Sequence, residues 1–201
     1  MTATVAFVKT QPGPGEVAAN AAEVMLHVQR ASQLGATVTV FPELMLTGLP
    51  PASPGAGDSL RRQANQAVSL LARTLDQEGL GGRHVVVGTT TTGPYDQPVG
   101  AAVVLHKGKT ALTVTSQTAS PDAVFAAHGH HFGIALDSAG SWPPADTAAP
   151  DGTDAPDGGP ALADAILVLA DGFAYAASRG GARISPAPAG HEGITLWTIG
   201  A

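Results

Sequence analysis

An apolar, β-branched run, Ala36–Phe41 (ATVTVF), stops at Pro42 and delivers Glu43 at its carboxyl end. Proline has no N–H to give a sheet ladder, so a strand here cannot continue past Phe41. Phe41, Leu44, Met45 and Leu46 surround the carboxylate in sequence, a poor setting for a solvated surface charge. The segment Val38–Pro50, VTVFPELMLTGLP, therefore predicts a buried strand that hands Glu43 to a short apolar loop and then to Thr47-Gly48.

The surroundings of that strand predict a layered α/β sandwich. Thr4–Val8 is a first strand, and Pro12-Gly13-Pro14-Gly15 is a turn. A helix then runs from Glu16 to Leu34, because Val17, Ala21, Val24, Met25, Val28 and Ala31 recur at three- and four-residue spacing. Gly35 closes it. A second helix is expected over Ser59–Gln77, capped by Asp58. Gly81-Gly82 precedes a strand, His84–Thr89, and Gly100–His106 with Thr110–Ser116 reads as a hairpin around Lys107-Gly108-Lys109. Phe132–Asp137, Asp164–Ala170 and Ile194–Ile199 complete the expected strands. Alternating strands and helices followed by strands imply one layered domain over residues 1–201. Residues 143–160 (PPADTAAPDGTDAPDGGP) carry Asp146, Asp151, Asp154 and Asp157 with no basic residue, and are expected to form a flexible acidic loop.

Composition narrows the function classes. With 44% hydrophobic residues and a mean hydropathy of +0.13, the 201-residue chain can bury a sizeable core. Lys+Arg 10 against Asp+Glu 16 gives a net charge of −6, which argues against nucleic acid or an anionic membrane as partner. No run approaches a membrane span and the start lacks a basic, then apolar, leader, so a cytoplasmic location is expected. There is no cysteine, hence no disulfide. Neither G-x-x-x-x-G-K-[ST] nor G-x-S-x-G occurs, and no cofactor is expected.

FPELMLTG in this order of elements resembles the nitrilase (carbon–nitrogen hydrolase) superfamily, nearest to the glutamine-amidase domains of NAD synthetases. The same resemblance runs through Ala18-Ala19-Asn20, HVVVGTT, AAVVLHKGK, HFGIALD, Trp142-Pro143-Pro144 and ALADAILVLADG. It implies a nitrilase-like α-β-β-α sandwich, truncated toward the C-terminus, where ITLWTIG alone resembles a closing strand. It also implies site residues. Glu43 matches the family's general base. The oxyanion-binding lysine falls on Ser116 or Gln117, neither of which is charged. The nucleophilic cysteine falls on Asp137. Glu43, Ser116 or Gln117, and Asp137 are expected to converge on one cavity.

A thiolate both attacks and leaves well, whereas a carboxylate attacks an amide poorly. Without a cation facing the oxyanion, the barrier rises further. The sequence thus predicts a catalytically degenerate nitrilase-fold protein acting through association, with itself or with a partner enzyme. The alternative is a diverged small-molecule enzyme that uses Glu43 and Asp137 as an acid–base or metal-assisted pair. No metal site is expected from spacing alone. In AAHGHHFG, His131 is the candidate that could join such a pair, beside His128 and His130 in a turn. A purely structural Glu43, bonded to local backbone amides, stands beside these catalytic roles as an equal alternative.

Overall fold

β1 (Ala3–Val8), β2 (Val38–Val40) and β3 (His84–Thr92) lie side by side and parallel. The crossovers between them are α1 (Val17–Gln33) and α2 (Pro54–Gln77). The computed structural model describes residues 2–48, 54–92, 98–116, 123–136, 165–170, 173–177, 183–184, 187–191 and 193–200. β4 (Pro98–His106) and β5 (Lys109–Thr115) extend the sheet antiparallel on one side. A second sheet contains β6 (Val124–Ala127), β7 (His130–Leu136), β8 (Ala165–Ala170), β9 (Phe173–Ala177) and β10 (Arg183–Ile184). β11 (Ala187–His191) and β12 (Ile194–Ile199) return to the first sheet, β12 pairing antiparallel with β1. The described strand orders are β11-β12-β1-β2-β3-β4-β5 and β10-β9-β8-β7-β6.

Strand alternation builds the core. Val5, Phe7, Val38, Val40, Val86, Ala102 and Val104 point from the first sheet toward Phe132, Ile134, Leu136, Leu167 and Leu169 of the second. The opposite face of the first sheet, with Val85, Val87, Val103 and Leu105, receives Val24 and Val28 of α1 and Val68, Leu71 and Leu75 of α2. β7 packs on β4 and β5, and β9 packs on β1, so the sheets are stacked with their strands in corresponding order. Ala135, Ile166 and Val168 are buried on the far side of the second sheet, beside Tyr175. Both described helices cover the first sheet; a helical layer over the second is not among the described residues.

Two of the tight hairpins use the turn that matches strand twist. Lys107 and Gly108 (φ 50° and 72°), like His128 and Gly129 (φ 52° and 82°), place two successive residues in the left-handed region.

Several sequence expectations need correction. α2 begins at Pro54, not after Asp58. A proline suits the first helical position, since its missing N–H has no partner there. Asp58 lies inside the helix and pairs with Arg61 at 2.9 Å. β6, β9, β10 and β11 were not expected: VFAA, FAYAA and APAGH are rich in alanine, a weak strand former, and β10 is only the two residues Arg183–Ile184. Each is held by pairing with a neighbouring strand. The acidic segment 143–160 lies outside the described residues. Among the described residues, no helix is long and apolar enough to cross a membrane.

Candidate functional site

Glu43 sits where the chain leaves β2. The Phe41 N–H still donates to Val86 O at 2.9 Å, and five residues on, the Leu46 N–H donates to Gly88 O at 3.0 Å. Phe41, Met45 and Leu46 are fully buried in the core between helices and sheet. The intervening Pro42–Leu44 therefore has both ends nailed to β3. It passes so close to β3 that a Cβ on Gly88 would lie 2.2 Å from Pro42 O and 2.6 Å from Glu43 Cα. Gly88 shares its strand face with Val86 and pairs with Ala102, both in the inter-sheet core. The turn thus crosses β3 on the side facing the second sheet, and Glu43 is only 6% exposed. Leu44, at φ 57°, closes the turn, and its carbonyl accepts from Thr47 N (3.0 Å) and Gly48 N (2.7 Å). A left-handed leucine costs about 1–2 kcal/mol, a strain the surrounding contacts hold in place.

Asn20 ties this turn to the rest of the molecule. Its Nδ2 donates to Gly13 O (2.9 Å) and to Leu46 O (3.2 Å), while its Oδ1 accepts from Gly13 N (2.9 Å). The Gly15 N–H adds a bond to Thr47 O at 2.9 Å. A buried amide with these partners locks residues 13–15 against residues 46–47. Asn20 was missed as a site residue, although a signal existed. It lies on the buried stripe of α1 with Val17, Val24 and Val28, where a polar side chain needs a specific partner.

β5 runs parallel to β3, both being antiparallel to β4, so Ser116 at the end of β5 and Glu43 share one edge. Ser116 remains tied to the sheet through its N–H to Gly100 O at 2.9 Å. From β3 to β5 is two strand spacings, about 10 Å. β7 begins beside the start of β3, where Phe125 stacks on both His84 (5.3 Å) and Phe132 (5.5 Å). It therefore ends toward the Glu43 edge, at Leu136, which is wholly buried. Gln117 and Asp137 lie outside the described residues.

His131 is not brought to Glu43. It pairs with Ala126 at the start of β7, is exposed, and alternates away from the core-facing Phe132. It therefore occupies the other edge of the sandwich, and spacing along AAHGHHFG could not reveal the hairpin that puts it there. Among the described residues, no group of histidines and carboxylates is placed to hold a metal ion.

Solved structures with this architecture include a glutamine-dependent NAD(+) synthetase from Cytophaga hutchinsonii (TM-score 0.63, 10% identity, 99% of this chain and 43% of that one). Another is an amidase from Nesterenkonia sp. (TM-score 0.60, 13% identity, 98% of this chain and 90% of that one). A mutant of that amidase, described as from the nitrilase superfamily, matches with a TM-score of 0.61 at 13% identity over 98% and 90% of the two chains. The fold is nitrilase-like. A glutamine-dependent NAD+ synthetase from Acinetobacter baumannii also matches (TM-score 0.54, 19% identity, 68% of this chain and 28% of that one). The nitrilase-like chain thus spans less than half the length of either synthetase. No family sequence profile and no curated protein sequence matches it. What the nitrilase-like fold contributes here is a buried carboxylate on a rigid turn, at the edge where the carboxyl ends of β2, β3 and β5 gather.

Proposed function

We propose that this nitrilase-like chain is a pseudoenzyme, a cytoplasmic protein that works by associating with itself or with a partner enzyme. One observation carries the reading: the chain keeps the buried Glu43 turn but contains no cysteine. A solved form of the Nesterenkonia amidase is described as carrying acrylamide added at its active-site cysteine. Without a thiol, the acyl-enzyme route has no nucleophile of comparable strength. Ser116 or Gln117, where the resemblance places a lysine, offers a developing oxyanion no charge.

The purified chain is expected to hydrolyse neither glutamine nor simple amides nor nitriles, measured as ammonia release. Turnover that survives Asp137→Ala overturns the pseudoenzyme reading. Size-exclusion chromatography with light scattering should give a mass above one chain, or a co-purifying protein. A clean monomer with no companion overturns association.

The second reading, a diverged small-molecule enzyme, is favoured by the strain at Leu44, since backbone held in a sparsely populated region concentrates at functional sites. In that case Glu43 is the base and Asp137 its acidic partner, acting on a small-molecule ligand in the inter-sheet mouth. Glu43→Gln then abolishes the activity at unchanged melting temperature.

A further inference from the structure

At the edge opposite Glu43, four rings form a continuous stack that runs from one sheet to the other. His106, at the end of β4, lies flat on His84, at the start of β3, with centroids 4.0 Å apart and planes 6° from parallel. His84 stacks in turn on Phe125 of β6 at 5.3 Å, and Phe125 on Phe132 of β7 at 5.5 Å. His84 is 9% exposed, and its Nδ1 is buried with no hydrogen-bond partner. A neutral imidazole tolerates this position as a flat, mostly apolar ring. An imidazolium does not, because it would bury a charge whose Nδ1–H has no acceptor.

The charged neighbours all push the same way. His106 and Lys107 approach from the β4–β5 hairpin and His128 from the β6–β7 turn, each disfavouring a positive His84. Arg83 is turned to the carbonyl of Ala36, and the His106 Nδ1 lies 3.2 Å from Arg83 O. Asp76, the nearest carboxylate on α2, sits against Gly81 and Gly108, on the helix-covered face rather than between the sheets. His130 and His131 open β7 on the far side of the hairpin turn.

We infer that this stack is an acid-released clasp: protonation of His84 frees the β6–β7 hairpin from the first sheet and opens the sandwich at this edge. Burial first, then His106, His128 and Lys107, lowers the His84 pKa from 6.5 to about 4. In the opened form the ring meets water and titrates near its ordinary value. The sign follows: the open form binds the proton more readily. The clasp is therefore shut above pH 6.5, loosens as the pH falls, and gains nothing more below about 4. Between these limits the opening equilibrium rises about tenfold by pH 5.5 and about thirtyfold by pH 5.

Amide hydrogen exchange on the full chain, corrected for intrinsic rates, tests the inference. Between pH 7.5 and pH 5, amides of β6 and β7 should lose protection by about the same factor, while those of α1 and β1 keep theirs. His84→Phe, which preserves a stackable ring, should flatten the response. An unchanged response in that variant, or loss of protection spread evenly over the chain, overturns the clasp. Nitrogen NMR of the wild-type imidazoles gives a second readout independent of the variant. His84 should stay neutral down to pH 5 in the folded protein, and a midpoint near its ordinary value refutes the inference.

Discussion

Gly88→Ala should cost about 3 kcal/mol, lowering Tm by roughly 6–12 °C for a chain of this size. The added methyl would sit 2.2 Å from Pro42 O, 2.6 Å from Glu43 Cα and 2.7 Å from Leu44 N, so backbone must move about 1 Å to reach ordinary contact. Neither side can give way cheaply. Gly88 is paired with Ala102 in the middle of the sheet, and the turn is held by the bonds from Phe41 N to Val86 O and from Leu46 N to Gly88 O. Thermal denaturation followed by circular dichroism measures the cost. Ala102→Gly, which removes a methyl from the paired position without touching the turn, is the control for general sheet weakening. A Gly88→Ala protein as stable as wild type would show that Pro42–Leu44 does not press on β3 as described.

Asn20→Ala should cost about 2–4 kcal/mol, because it strands Gly13 N and Leu46 O and leaves Gly13 O only the Glu16 N–H at 3.1 Å. Gly13 loses its acceptor and its donor, and Leu46 O loses the Nδ2 that reaches it at 3.2 Å. An amide is needed here for a reason of chemistry: it gives and accepts hydrogen bonds from one planar group. Asn20→Asp keeps an acceptor for Gly13 N but offers nothing to the two carbonyls, and it buries a charge. The aspartate variant should therefore be no more stable than the alanine one. Hydrogen exchange adds a local signature: the Gly15 and Leu46 amides should lose protection in both variants while the strands β8 and β9 stay unaffected. If Asn20→Ala instead unfolds no more easily than the wild type, the two loops are held by the Gly15–Thr47 bond alone.

The first half of the fold is legible in sequence because its elements are specified locally. Val17, Val24 and Val28 mark a helical stripe that needs no knowledge of its partner, and Pro42 ends a strand by its own covalent structure. Glu43 was found for the same reason: a carboxylate among Phe41, Leu44, Met45 and Leu46 is anomalous wherever it is met. Other features depend on what a residue is next to. FAYAA becomes β9 only because β8 lies there to pair with it, and alanine has too little intrinsic preference to announce a strand. His131 looked like a companion to Glu43 until the His128–Gly129 turn carried it to the opposite edge. Gly88 reads as an ordinary strand residue until the turn from β2 is laid across it. His84 reads as one more histidine until Phe125 arrives from the other sheet to stack on it. Periodicity and covalent constraint act within a few residues, so the sequence alone determined the buried stripe of α1, the end of the strand at Pro42 and which carboxylate is buried. Close approach, ring stacking and the sharing of an edge join residues far apart in the chain, and only the tertiary structure decided them.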